Sequence, residues 1–501
     1  MSVFNGLTDF DPAPSLQSSA SVTVSTKAAT DAPVVGYLVA EDGDHPDEQG
    51  LSAAALEAAG FDGKRGQTIV LPSVGGPMTV LVGVGELGEL DVDRLRDAGA
   101  AFARATERHG DLTLVLGDIG TVASDVAGQA VVEGALLARY RYDVLKRKPT
   151  VEPITTLAVV VEGRRAAAAR RGAARGVVTA EATNFARDLA NTPPALLTAI
   201  DMADLATTLG RKRGLDVEIF DKKALIDLGC GGLLGVNAGS AEEPRMIRLT
   251  YRPAGSKAHL TLVGKGIMYD AGGMALKPAD DVHATMKNDM SGAGAILAAM
   301  SQLETLGCKT AVTGYLMCTD NRPSGTSIAM GDVLTVYGGK TVEVMNTDAE
   351  GRLVMADALV LATEDETNAI VDIATLTGAA MRALGTQVAG LIGNNEVLID
   401  QVEAAAEASG ESVWELPLER RYRWDLNSDI ADIKNLGGAN AGAITAALFL
   451  DEFVAGKPWA HIDIAGTAQN DRDTSWRPPG CTGFGARLLI ELALNFKRPA
   501  A

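Results

Sequence analysis

Beyond residue 30 the chain alternates short apolar runs with stretches in which apolar positions recur at three and four residues. The runs 34–40, 68–71, 78–84, 112–116 and 156–161 have the length and apolar character of strands. Between them, Val92, Leu95, Phe102 and Ala105 share one helical face, opened by Asp91 as a cap and closed near Gly110. This alternation predicts an α/β N-terminal domain over 31–172. Residues 1–30 are rich in Ser, Thr, Ala and Pro and show no periodicity, so a loose arm is expected there.

After an Ala/Arg-rich stretch, Val178, Ala182, Phe185 and Leu189 recur at helical spacing until Asn191-Thr192-Pro193-Pro194 interrupts the pattern. The expectation is a connecting helix over 173–194; a surface helix within one continuous domain is the alternative. Further on, strand-like runs at 216–220, 246–251, 260–263, 310–316, 342–345, 370–373 and 459–464 alternate with helical patterns such as Ile296, Leu297, Met300 and Leu303. A larger second domain over 195–501, with a mixed, mostly parallel sheet flanked by helices, accommodates this order. A chain of 501 residues also exceeds what one hydrophobic core usually supports.

Composition narrows the function classes. The formal net charge of −19 argues against a phosphate backbone as the main partner, so no nucleic-acid role is expected. The opening MSVFNGLTDFDPAPS lacks the basic stretch and apolar core of a secretory signal, and no apolar run is long enough for a bilayer. A cytoplasmic protein without membrane contact is expected. The four cysteines lack CxxC spacing and the five histidines lack HExxH spacing, so any metal site must be made mainly of oxygen ligands.

Three segments after strand-like runs concentrate acidic residues: 263–277, containing Lys265, Asp270 and Lys277; Met286-Lys287-Asn288-Asp289-Met290; and 346–353, containing Asp348, Glu350 and Arg352. Singly, each has an ordinary reading: turn glycines, a helix cap, a solvated turn. Together, Asp270, Asp289, Asp348 and Glu350 would repel one another in neighbouring strand-end loops unless cations intervened. Carboxylate-rich sites suit two divalent ions roughly 3.5–4 Å apart.

The motifs VGKG, YDAGG, Lys277, MKNDM and NTDAEGRL, followed by DIATLTGA, AGAITAALFL and WAHIDIAGTA, resemble the leucyl aminopeptidase (cytosol aminopeptidase) family in order and approximate spacing. The likeness runs from about Arg175 to the end, and NTDAEGRL is the most specific part. It implies a two-metal aminopeptidase that releases N-terminal residues, preferentially Leu or other apolar ones, from peptides with a free N-terminus. Lys265, Asp270, Asp289 and Glu350 resemble the ligands of one ion, Zn2+ or Mn2+; Asp270, Asp348 and Glu350 resemble those of the other. A water between the ions would attack the peptide carbonyl. Lys265 would have to bind as a neutral amine. Lys277 would stabilise the oxyanion, and Arg352 would hold a bicarbonate that takes the proton. By the same likeness Met286, Thr375, Gly378, Ala465 and Ala468 would line the pocket for the first side chain, with backbone near Leu376 holding the peptide. A homohexamer is also implied.

The chain departs from the family pattern at several positions. Tyr269-Asp270-Ala271-Gly272-Gly273 lacks the hydroxyl residue usual after the Asp, which predicts a lost hydrogen bond to a ligand. Ala329-Met330-Gly331-Asp332 stands where Arg-Pro-Gly-Asp is common, and Ser291-Gly292 replaces Gly-Gly. Two other functions remain open from the sequence: a non-catalytic binding protein on the same fold, and a metallohydrolase of another small amide.

Overall fold

The computed structural model describes residues 10–17, 19–29, 31–43, 52–73 and 76–499. The chain divides into two compact units. One comprises Pro14–Asn184 with Asn470–Gly480; the other comprises Phe185–Gln469 and Cys481–Ala501 together with the segment up to Ala13.

The N-terminal unit is an α/β layer structure. Its strands are β1 (Ser21–Ser25), β2 (Val34–Ala40), β3 (Thr68–Leu71), β4 (Met78–Gly85), β5 (Asp111–Val115) and β6 (Thr156–Val160), ordered β1-β6-β5-β2-β4-β3. Every pairing is parallel except β3 with β4. Helices Val92–Ala105 and Ser124–Arg139 supply Leu95, Phe102, Val131 and Leu137 to its core. Asp91 caps the first of these by accepting from Arg94 N.

The expectation of a loose arm over 1–30 is corrected in part. Ser21–Ser25 pairs in register with Thr156–Val160, and Val24 is buried. Alternating Val22 and Val24 among small hydroxyl residues is a strand pattern too short to stand out from a Ser/Thr-rich background. The start of the arm, 1–9, lies outside the described residues.

The helix expected over 173–194 spans Ala166–Asn191 and runs from one unit into the other. Ala-rich residues 166–175 carry no strong apolar stripe yet favour helix by intrinsic propensity, which is why the helix begins earlier than the stripe does. The C-terminal unit is also not one continuous stretch, because Asn470–Gly480 belongs to the N-terminal unit and Trp476 packs in its core.

The C-terminal unit continues with β7 (Asp216–Phe220), β8 (Arg245–Tyr251), β9 (His259–Asp270), β10 (Ala311–Asn321), β11 (Val333–Thr335), β12 (Thr341–Glu343), β13 (Ala369–Ala374), β14 (Ala389–Gly393), β15 (Val413–Glu415), β16 (Ile433–Lys434) and β17 (Trp459–Asp463). Eight of them form a mixed sheet ordered β15-β14-β17-β13-β9-β10-β8-β7; β11, β12 and β16 form a small separate sheet. In the large sheet β17, β13, β9 and β10 run parallel, so their carboxyl ends share one edge. Val263, Ile267, Met317, Leu359, Ile370, Phe449 and Trp459 are among the residues that fill its core. No helix among the described residues is long and apolar enough to cross a membrane.

A candidate metal centre at the sheet edge

The three acidic segments do converge, but not as three equivalent strand-end loops. β9 continues through Lys265 to Asp270, so both residues sit on a central strand. The glycines flanking Lys265 mark close approach there: a Cβ on Gly264 would lie 2.8 Å from the Ala293 backbone, and one on Gly266 2.8 Å from Met317 O. Met286–Met290 is a 3-10 turn feeding helix Ser291–Met300, and Ser291 Oγ donates to Asn288 O at 2.5 Å. Residues 346–350 leave the small sheet through β12 and enter helix Gly351–Glu364. Gly351 leaves room for a lysine stem, since a Cβ there would stand 2.6 Å from Lys265 Cε.

The charges interlock. Lys265 Nζ lies 2.9 Å from Asp289 Oδ2 and 2.7 Å from Glu350 Oε1, and it donates to Thr375 O at 2.9 Å. Lys277 Nζ lies 2.8 Å from Asp270 Oδ2 and 2.5 Å from Asp348 Oδ1. Asp270 Oδ1 accepts from Gly272 N and Asn321 Nδ2, each at 2.8 Å. Asp289 Oδ1 accepts from the Thr375 hydroxyl at 2.6 Å. Asp289 Oδ2 and Asp348 Oδ1 have no partner beyond their lysine ion pairs, and Glu350 Oε2 is buried with no hydrogen-bond partner. Asp270, Asp289 and Glu350 each offer an oxygen within 4.8 Å of the others'.

Burial and crowding shift the titrations. Asp270 is pushed up to about 6, by burial first and then by the Glu350 charge, against the pull of both lysines. Asp289 is raised well above the carboxylate range by burial, with the Asp270 and Glu350 charges adding to it and Lys265 opposing; burial raises Asp348 too. Burial would also raise Glu350, but Lys265 and Lys277 outweigh it and hold that carboxyl low. Burial alone would lower Lys265, yet the charges of Asp289, Glu350 and Asp270 hold it above its ordinary value. The neutral amine expected from the sequence is therefore not the state that carboxylates alone favour. Lys277 is raised by Asp270 and Glu350 against burial.

Arg352, the second residue of the helix, is buried; Nη1 donates to Asn435 O at 3.0 Å and Nε has no hydrogen-bond partner. Burial lowers it to about 10, opposed by the charges of Glu350 and Asp463, so it remains a cation at neutral pH.

Of the residues expected to line a side-chain pocket, Thr375 spends its hydroxyl on Asp289 and its carbonyl on Lys265. Leu376 and Ala465 are half-buried, and their amides donate to Asp463 Oδ1 at 3.2 Å each. Met286 is half-buried at the start of the 3-10 turn, Gly378 is exposed at the start of helix Gly378–Leu384, and Ala468 is buried.

Three supports escape the sequence reading. Asn321 Nδ2 bonds both Asp270 and, at 3.0 Å, Thr347 O. Thr347 Oγ1 donates to Gly272 O and accepts from Ala275 N, tying the loop after β9 to the loop before Asp348. Asn435 braces that second loop through Met345 N, Asn346 O and Ala349 O. Asn321 was findable as the residue that ends β10 opposite Asp270; for Asn435 the sequence holds no such signal.

Comparison with known proteins places these observations in context. The model of the "Cytosol aminopeptidase family, catalytic domain" matches residues 184–490, and that of the "Cytosol aminopeptidase family, N-terminal domain" matches 45–149. A probable cytosol aminopeptidase of Streptomyces avermitilis is 42% identical over 94% of this chain and 98% of its own. One of Chlorobaculum tepidum is 41% identical over 91% of this chain and 92% of its own. Among solved structures, the bottromycin maturation enzyme BotP in complex with Mn superposes with a TM-score of 0.84 at 38% identity, covering 92% of this chain and 99% of that one.

Proposed function

The chain belongs to the cytosol aminopeptidase family, and from that premise we propose that it is a metal-dependent aminopeptidase, releasing Leu or another apolar residue from the free N-terminus of a peptide. One observation carries the reading: four carboxylates and only two lysines meet at one sheet edge, and a buried Glu350 oxygen has no hydrogen-bond partner. A buried carboxylate oxygen left over in this way is costly unless something positive completes it. An all-oxygen donor set with one amine suits divalent ions such as zinc or manganese.

Asp270, Asp289, Asp348, Glu350 and Lys265 would hold two such ions. When bound, these would lower the pKa of a water and polarise the scissile carbonyl. Lys265 would surrender its proton as a ligand, so ion uptake would release a proton to solvent. With Asp270 and Asp348 neutralised, the Lys277 ammonium would be free to donate to the carbonyl oxygen as negative charge develops on it. Arg352 keeps a guanidinium Nε without a hydrogen-bond partner in a buried setting, which suits a small anion such as bicarbonate acting as proton acceptor. That the Mn-bound BotP has this fold supports a divalent-ion site here. The family name supports intracellular peptide turnover as the setting.

The reading requires a free substrate amine. Leu-amide and Leu-Gly should be hydrolysed while their N-acetylated forms are not; equal rates on free and blocked substrates would assign the site to another class of amidase.

A further inference from the structure

Behind the metal centre lies a row of buried polar groups that the proposed chemistry does not use. β13 and β17 run parallel, with Asp372 opposite His461 and Ala374 opposite Asp463. Trp459 Nε1 donates to Asp372 Oδ2 at 2.7 Å, and His461 Nδ1 lies 2.5 Å from Asp372 Oδ1. His461 Nε2 faces Asp463 Oδ2 at 3.9 Å, within reach of charge but not of a hydrogen bond. Asp372 and His461 are both fully buried, and Asp463 is 1% exposed.

Asp463 turns its carboxylate onto the segment that leaves β13. Oδ2 accepts from the Thr377 hydroxyl at 2.7 Å; Oδ1 faces the amides of Leu376, Thr377 and Ala465 at 3.2, 3.3 and 3.2 Å. The same segment is gripped from its other side by the metal centre, through Lys265 to Thr375 O and the Thr375 hydroxyl to Asp289. Residues 375–377 are thus clamped between the ligand set and a carboxylate outside it. A lone buried carboxylate would be costly; His461 supplies the opposite charge, and Asp372 holds that charge in place. The electrostatic balance agrees. Burial would lower His461, but Asp372 outweighs it and raises the imidazole to about 9; burial would raise Asp463, but His461 outweighs it and holds that carboxyl low.

We propose that Asp463, backed by His461 and Asp372, is a positioning residue that fixes the 375–377 backbone as the ledge on which the substrate's main chain lies. Drawing the Leu376 and Thr377 amides toward Asp463 sets which way the Leu376 carbonyl between them points; with Thr375 O already held by Lys265, that carbonyl is the acceptor this ledge offers to a peptide N–H. This assignment rests on the aminopeptidase reading for its substrate and on the geometry alone for the clamp.

Two variants test it. Asp463→Asn removes the charge and keeps the Thr377 hydroxyl, which caps helix Gly378–Leu384 by accepting from Ala380 N at 3.0 Å; Thr377→Val removes that cap and one bond of the clamp while leaving the buried His461 pair intact, so an effect shared by both variants belongs to the clamp. Both should retain the parent's metal content, raise KM for a leucyl dipeptide roughly 10–100-fold with a smaller change in kcat, and speed hydrogen exchange at the Leu376 and Thr377 amides. Thr377→Ser, which keeps the hydroxyl, should restore KM and protection. Unchanged KM and unchanged exchange in both variants would overturn the proposal. So would loss of metal, which would make Asp463 a support of the ion site. If the parent cleaves no free-amine peptide, the aminopeptidase reading fails by itself, and the exchange comparison still decides whether Asp463 holds the ledge.

Discussion

Each unit buries a cluster of charge, and the two clusters are balanced differently. In the N-terminal unit, Glu133 Oε2 meets Arg96 Nε at 3.0 Å, while Oε1 accepts from Gln129 at 2.8 Å and from the Thr179 hydroxyl at 2.7 Å. Arg96 also reaches Asp93 at 2.5 Å. Every oxygen of that buried carboxylate is bonded, and the buried guanidinium opposes it, with the second carboxylate, Asp93, lying largely in solvent. In the C-terminal unit, Asp270, Asp289, Asp348 and Glu350 form ion pairs, among the described residues, with Lys265 and Lys277 alone, Arg352 adding a more distant charge to Glu350, and an oxygen of Glu350 has no hydrogen bond. A closed cluster of this kind holds a fold together; an open one is a place prepared for added positive charge.

The largest expected effect separates chemistry from ion binding within the open cluster. Lys277→Ala should lower turnover roughly 10²–10³-fold, the usual scale for removing an oxyanion donor, while metal content measured by mass spectrometry stays at the parent level. Equal metal loss would mean that Lys277 belongs to the electrostatic support of the ion site.

The sharpest contrast between the clusters is in metal-free stability. Glu133→Gln breaks a matched buried pair and should cost about 3–5 kcal/mol, read by denaturant unfolding. Asp289→Asn in metal-free protein should cost far less or be stabilising. Asp289 is already pushed toward its neutral form, and an amide oxygen can still accept from Thr375. A large loss of metal-free stability in Asp289→Asn would erase the distinction between the two clusters.

The smallest effect concerns Ala271. The sequence suggests a missing hydroxyl and so a loosely held Asp270. In the structure, Asp270 Oδ1 already accepts from Gly272 N and Asn321 Nδ2, and Ala271 is buried with its amide bonded to Asn321 O at 2.9 Å. Ala271→Ser should therefore leave metal affinity unchanged or weaken it slightly, since a new buried hydroxyl needs a partner. Tighter binding on titration would show that Asn321 does not replace the hydroxyl.

These outcomes also mark what the sequence could and could not convey. Charged residues at motif spacing announced the cluster, because few arrangements other than ion binding bring four acids and two lysines together. The parallel sheet was legible from the apolar runs at 260–263 and 370–373, which match buried β9 and β13. The extent of β9 was not. Gly264 and Gly266 read locally as turn formers, whereas close packing against Ala293 and Met317 keeps them in strand, a long-range fact without a local signature. Asp463 was hidden similarly: its sequence neighbours are apolar strand residues, and its partners Leu376 and Thr377 lie some ninety positions away. Ser21–Ser25 was lost for the opposite reason, since an edge strand of small hydroxyl residues resembles coil in composition.

The central claim is that the excess of carboxylate at the sheet edge exists to hold two divalent ions on which hydrolysis depends. Titrating chelator-stripped protein with Mn2+ or Zn2+ in a calorimeter, with cleavage of Leu-Gly followed on the same samples, tests it most directly. The account predicts two ions taken up per chain, protons released on uptake, and activity that rises from nothing as the sites fill. Full activity in demonstrably metal-free protein, or no stoichiometric uptake by a chain whose carboxylates are intact, would contradict it.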